Sequence, residues 1–124
     1  MNLLADNSWL VRLERELQRK RHGPAAVLLA KNRVLLNAIA HAEFLSVGIS
    51  DIRRRILSHL VWIGGIDHRE AALAAALRCR RAKQGKALSL PDAFMAATAL
   101  RLKCRLVTGD RDYSGIPGLD WSGY

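Results

Sequence analysis

Five acidic residues sit where a chain can put carboxylates to chemical use. Asp6 ends the short apolar run Leu3-Leu4-Ala5, and Glu43 interrupts the mostly apolar Ala38-Ile39-Ala40-His41-Ala42-Glu43-Phe44-Leu45. Asp92 opens an almost wholly apolar helical pattern, Leu90 to Leu100. Asp110 and Asp112 follow the run Arg105-Leu106-Val107-Thr108-Gly109. Carboxylates brought within ~4–6 Å raise one another's pKa unless a cation offsets them. Oxygen-only donors, with no Cys or His among them, select a hard ion, Mg²⁺ or Mn²⁺. A hard ion held by a few carboxylates binds phosphate oxygens and lowers the pKa of an attacking water.

Each acid also has a plainer use. Asp6 has the position of an N-cap. Glu43 fits an exposed helix face, although a lone carboxylate on an apolar helix is costly unless paired or metal-bound. Asp92, three residues after Ser89, completes a capping box and complements the helix dipole. Asp110 and Asp112 suit a turn beside Gly109. Taken together, three of these sites fall just past strand ends or at helix starts, at one edge of a parallel sheet where open α/β folds bind ligands, and Glu43 lies near a fourth. Between Asp110 and Asp112, strand direction favours Asp110 as the acid facing the site, with Gly109 letting the backbone turn tightly over it. Asp112 then caps or braces a helical turn near Tyr113.

The elements that must position these groups follow from periodicity and caps. Leu3 to Ala5 predicts a strand, and Asp6, Asn7 and Ser8 supply cap chemistry for a helix from about Trp9 to Arg21. His22-Gly23-Pro24 stops that helix, and a short one follows from Ala25 to Ala30. Arg33 to Leu36 predicts a second strand, with a helix starting at Asn37. Ser50 caps the next helix, and Val61-Trp62-Ile63 ends it or forms a strand. Asp67-His68-Arg69-Glu70 has capping-box spacing before an Ala/Leu/Arg helix that ends at Gly85. The apolar helix from Ser89 predicts burial on all sides. A strand from Arg105 to Thr108 and an edge segment near Trp121 close the chain. Strands alternating with helices predict a three-layer α/β/α domain over residues 1–124, with four or five short, mostly parallel strands.

Composition narrows the function. The 124 residues carry 20 Lys plus Arg against 11 Asp plus Glu, a formal charge of +9, so a polyanion is the expected large partner. The basic residues cluster at 19–21, 53–55, 78–83 and 101–105, and each cluster also suits a solvated helix face. The isolated cysteines Cys79 and Cys104 and the four histidines have no zinc-ligand spacing. No apolar run nears a membrane span, and the start lacks the pattern of a signal peptide, so cytoplasm is the expectation. An acidic metal site in a basic protein points to a nucleic-acid phosphodiester.

The motifs from Leu3 to Leu10, Ala42 to Leu45, Leu90 to Ala99 and Leu106 to Leu119 resemble those of PIN domains, in particular the VapC-type toxins of bacterial toxin–antitoxin pairs. The resemblance implies a metal-dependent endoribonuclease, usually a homodimer, silenced by an antitoxin whose tail enters the acidic site. By position, Asp6, Glu43 and Asp92 match the core acids and Asp110 or Asp112 the fourth. Ser8 and Thr108 match supporting hydroxyl residues. Asn7 stands where Thr or Ser is commoner, and Tyr113 where Phe is. A phosphoacceptor receiver domain is the rival reading, but it needs an acid pair after the first strand and a late Lys-Pro, both missing here. A catalytically silent, nucleic-acid-binding PIN relative is a second rival. A cofactor-binding Rossmann domain lacks its GxGxxG.

Overall fold

Three of the strands are runs of consecutive buried residues. Leu3-Leu4-Ala5 and Val34-Leu35-Leu36 are buried without interruption, as are Leu106 and Val107. Successive strand residues point to opposite faces, so an unbroken buried run means that both faces are covered. The computed structural model describes all residues from Met1 to Tyr124. It contains five parallel strands: β1 (Asn2–Ala5), β2 (Arg33–Leu36), β3 (Val61–Trp62), β4 (Arg105–Val107) and β5 (Trp121–Ser122), ordered β3-β2-β1-β4-β5. Six helices surround them: α1 (Asn7–Gln18), α2 (Pro24–Lys31), α3 (Ala38–Leu45), α4 (Asp51–Ser58), α5 (His68–Lys83) and α6 (Leu90–Leu102). Helix α1 packs with α2, α3 and α4, whereas α5 packs along α6. The architecture is the α/β sandwich expected, with the sheet wholly parallel.

Local chemistry fixes most element ends. The side chains of Asn37, Ser50, Asp67 and Ser89 each accept a backbone N–H in the first turn of the helix that follows. Helix α1 begins two residues earlier than the periodicity indicates, because Asp6 caps it directly and accepts the Asn7 N–H at 2.8 Å. It ends at Gln18 rather than Arg21, with Lys20 in the left-handed region at φ 52°. Helix α2 has glycine at its N-cap and no side-chain cap of its own. Glu16 of α1 takes that place: its carboxylate accepts the N–H groups of Ala25 (3.1 Å) and Ala26 (2.9 Å) and pairs with Arg12. Gly23 leaves room for it, since a Cβ there would lie 2.4 Å from the Glu16 carboxyl carbon. Burial opposes this charge, but the three donors outweigh it and hold the carboxyl below its usual range.

At the opposite end of the sequence, α6 is buried through Ala93, Met95, Ala96, Ala97, Thr98 and Ala99, as its apolar pattern predicts. It stops at Lys103, which adopts φ 52° while its N–H and that of Cys104 close on the last carbonyls. The capping-box spacing at Asp67 holds only in part. Asp67 caps the Arg69 and Glu70 N–H groups, but Glu70 turns inward. Buried, it accepts the Thr98 hydroxyl at 2.7 Å and pairs with Arg101; Asn37 in turn donates to Thr98 at 3.2 Å. A buried carboxylate needs such partners.

Candidate active site

The register of β1 on β4 pairs Ala5 with Val107 and so brings the next residues, Asp6 and Thr108, side by side past the strand ends. This is the point where strand order reverses about β1, the usual ligand crevice of an open parallel sheet. The Thr108 hydroxyl, fully buried, donates to Asp6 Oδ2 at 2.7 Å and accepts the Asp110 N–H at 3.0 Å. Ser8 donates to the same Oδ2 at 3.2 Å and accepts the Gly109 N–H at 2.9 Å. With the Asn7 N–H on Oδ1, Asp6 is fixed by three donors while nearly buried. It caps α1 and lies at the crevice where strand order reverses.

Asp92 reaches the same edge from α6. Its N–H is capped by Ser89, and its Oδ1 accepts the Tyr113 hydroxyl at 3.0 Å. Glu43 arrives on α3, half-buried, and α3 is braced from below: Arg53 of α4 donates to the Phe44 carbonyl and forms a two-point pair with Glu14 at 2.6 and 3.0 Å. Asp110 caps the 3₁₀ turn Arg111–Tyr113 by accepting the Asp112 N–H at 2.8 Å. The cap expected of Asp112 thus belongs to Asp110. Asp112 is exposed; its backbone is engaged, the N–H by Asp110 and the carbonyl by Arg81 at 2.9 Å, while its carboxylate makes no hydrogen bond.

These carboxylates feel one another. Burial raises the Asp6 carboxyl, the Thr108, Asn7 and Ser8 bonds oppose that, and the Asp92 charge adds to it; the net shift is upward. Glu43 is raised by burial and then by the charges of Asp6 and Asp92. Burial and the charges of Asp6 and Asp92 push the Tyr113 phenol far up, so it remains a donor to Asp92. No three of the acids are drawn together tightly enough to form a ready-made ion cage. The donors are nonetheless all hard oxygens, and their mutual repulsion is what a divalent cation relieves.

Tyr113 is the functional residue that sequence reasoning left out. Its signal was present: a tyrosine in place of a buried phenylalanine brings a hydroxyl that needs a partner. Gly109 serves differently from expectation. It does not turn the chain with a positive φ; a Cβ there would lie 2.7 Å from the Tyr124 hydroxyl, which packs against it and donates to the Ser8 carbonyl at 3.3 Å. The basic clusters divide as well. Arg53, Arg78, Arg81, Arg101 and Arg105 are committed to internal acceptors, while Arg19, Lys20, Arg21, Arg54, Arg55, Arg80 and Lys83 are exposed.

A family model described as PIN domain matches residues 3–119. No curated protein matches the chain. Among solved structures, the chain is similar to a toxin–antitoxin complex from Klebsiella pneumoniae, at 27% identity over 94% of each chain with a TM-score of 0.71. It is also similar to VapBC2 from Rickettsia felis bound to a promoter DNA fragment, at 18% identity, 100% and 99% coverage and a TM-score of 0.76. VapBC-1 from nontypeable Haemophilus influenzae aligns at 16% identity, 99% and 98% coverage and a TM-score of 0.75. The last two likenesses are of fold alone.

Proposed function

Because the chain belongs to the PIN-domain family, we propose that it is a metal-dependent endoribonuclease, the toxin of a toxin–antitoxin pair. The observation that supports this best is the placement of Asp6, held by Thr108 and Ser8, past the paired ends of β1 and β4, with Asp92 reaching the same edge from α6. Asp6, Asp92 and Asp110 would hold Mg²⁺ or Mn²⁺. When bound, such an ion neutralises phosphate charge and makes water a better nucleophile.

The chain's own groups have defined tasks in this reading. Thr108 and Ser8 keep Asp6 in one orientation, and Tyr113 does the same for Asp92. Glu43, its carboxyl raised above its ordinary value by burial and the charges of Asp6 and Asp92, is suited to take the proton of the attacking water. The exposed basic residues hold flanking phosphates through counterion release, which makes binding steeply dependent on salt. No helix is long and apolar enough to cross a membrane; a cytoplasmic location accords with an RNA substrate.

A protein partner is part of the proposal. An apolar groove of about 300 Å³ between α1, α2 and α4, lined by Leu13, Leu17, Leu29, Ile52 and Ile56, offers it a seat. A positive side chain from the same partner would enter among the acids and displace the ion. A homodimer is the expected assembly. Expression of the chain alone should arrest growth of its host, and Asp92→Asn should relieve the arrest. A harmless wild-type chain would remove the toxin assignment while leaving the nuclease chemistry open to its own test.

A further inference from the structure

A cleft of about 560 Å³ opens directly beside the acidic edge. Thr108 and Gly109, which hold Asp6 and Ser8, line it on the side of the acids; Arg111, Trp121 and Tyr124 line the rest. Its size is that of a small-molecule pocket, and its chemistry is specific. Two aromatic rings and a guanidinium surround a space bordered by hydroxyls. The Arg111 side chain is exposed and has no internal acceptor, unlike Arg81 or Arg105. The loop that carries it is held in place, since Arg81 donates to the Ser114 carbonyl at 3.1 Å and the Asp112 carbonyl at 2.9 Å. Tyr124 is anchored too, by its hydroxyl on the Ser8 carbonyl, with the Arg12 guanidinium 5.8 Å from its ring centre. Glycine at 109 leaves room for the Tyr124 hydroxyl, which a Cβ would approach to 2.7 Å.

Single-stranded RNA is recognised by stacking its bases on aromatic or guanidinium planes, with its phosphates on basic groups. We propose that this cleft is a nucleotide subsite: it takes one base of single-stranded RNA next to the cleaved phosphodiester, against Trp121 and Tyr124, with the adjoining phosphate on Arg111. The inference rests on reading the acidic edge as a ribonuclease site and adds the position at which that site senses its substrate.

The test is binding, measured in EDTA so that cleavage plays no part, of the full chain to a labelled RNA hexamer and to a set in which each position in turn is abasic. Wild type should lose about tenfold or more at one position, the magnitude of one stacked base. Tyr124→Leu should lose a similar factor on the intact hexamer and become indifferent to the abasic site at that position. Arg111→Met should weaken binding of every oligomer and flatten the salt dependence by about one phosphate contact. Equal affinities across the abasic set, or a Tyr124→Leu protein that still distinguishes the same position, would overturn the subsite. Loss of the nuclease reading would show separately, as a wild-type protein that binds the hexamer but does not cut it when ions are added.

Discussion

Replacing Thr108 by valine should be among the most damaging single changes that leave the acids in place. The two side chains have nearly the same shape, so packing is kept and the hydroxyl alone is removed. That hydroxyl donates to Asp6 Oδ2 at 2.7 Å and accepts the Asp110 N–H at 3.0 Å, and the residue is fully buried. A hydrogen bond to a charged group contributes about 1.5–3 kcal/mol, and an orphaned N–H adds about 1 kcal/mol. The expected loss is therefore about 3 kcal/mol, a large share of the ~5–15 kcal/mol that holds a domain of this size. Scaled by a melting entropy near 2.1 cal/mol/K per residue, that is a fall in Tm of about 10 °C. RNA turnover should also drop by about tenfold or more, because Asp6 loses its orienting donor and its carboxyl rises further. Thermal melts of Thr108→Val and Thr108→Ser, with turnover measured on both, separate the hydroxyl from the methyl group. Serine should recover most of both quantities. A valine variant as stable and as active as wild type would refute the claim that this hydroxyl fixes Asp6.

Three further changes test other parts of the account. Asp6→Asn should raise the Tm of the metal-free protein at neutral pH. A carboxyl whose folded pKa lies above its ordinary 3.8 loses stability as pH rises through the folded value, so the advantage should vanish below about pH 4, as melts across pH would show. Glu16→Ala should cost about 1–2 kcal/mol at pH 7 by uncapping α2. Here the folded pKa is depressed, so the contribution is present above the ordinary 4.5 and fades as pH falls below it; a difference that grows in acid contradicts the cap. Lys103→Gly should stabilise by about 1 kcal/mol in urea titrations, because glycine adopts the left-handed end of α6 without the Cβ penalty.

What the sequence revealed and what it hid divide by distance along the chain. The second strand has the ends that its apolar run predicts, Arg33 and Leu36, and the caps at Asn37, Ser50, Asp67 and Ser89 do what their side-chain chemistry dictates. These are contacts within three residues, which local propensity governs. Beyond shifts of a few residues at the ends of α1 and in the Asp110–Asp112 turn, the failures are long-range. Glu70 has the spacing of a capping box, but a buried hydroxyl and a guanidinium from α6 hold its carboxylate instead. Glu16 reads as one more exposed charge until α2 folds back onto it. Tyr113 and Tyr124 show their roles only when β4 and β5 bring the end of the chain beside α1 and α6. The positions of Asp6 and Asp110 just past β1 and β4 were legible because parallel-sheet topology assigns strand ends to one edge; the hydroxyls that hold Asp6 and Asp92 depend on a register no local pattern reveals.

The central claim is that this edge hydrolyses RNA with water, through carboxylates that hold a hard divalent ion. Its most direct test is to incubate the purified chain with RNA in Mn²⁺, in excess EDTA, and as Asp92→Asn in Mn²⁺, and to determine the product ends by mass spectrometry. Attack by water leaves linear phosphate ends, whereas attack by the neighbouring 2′-hydroxyl leaves a 2′,3′-cyclic phosphate. The account predicts linear ends in Mn²⁺ and intact RNA in the other two reactions. Cyclic phosphate ends, formed equally well in EDTA or by Asp92→Asn, would contradict it.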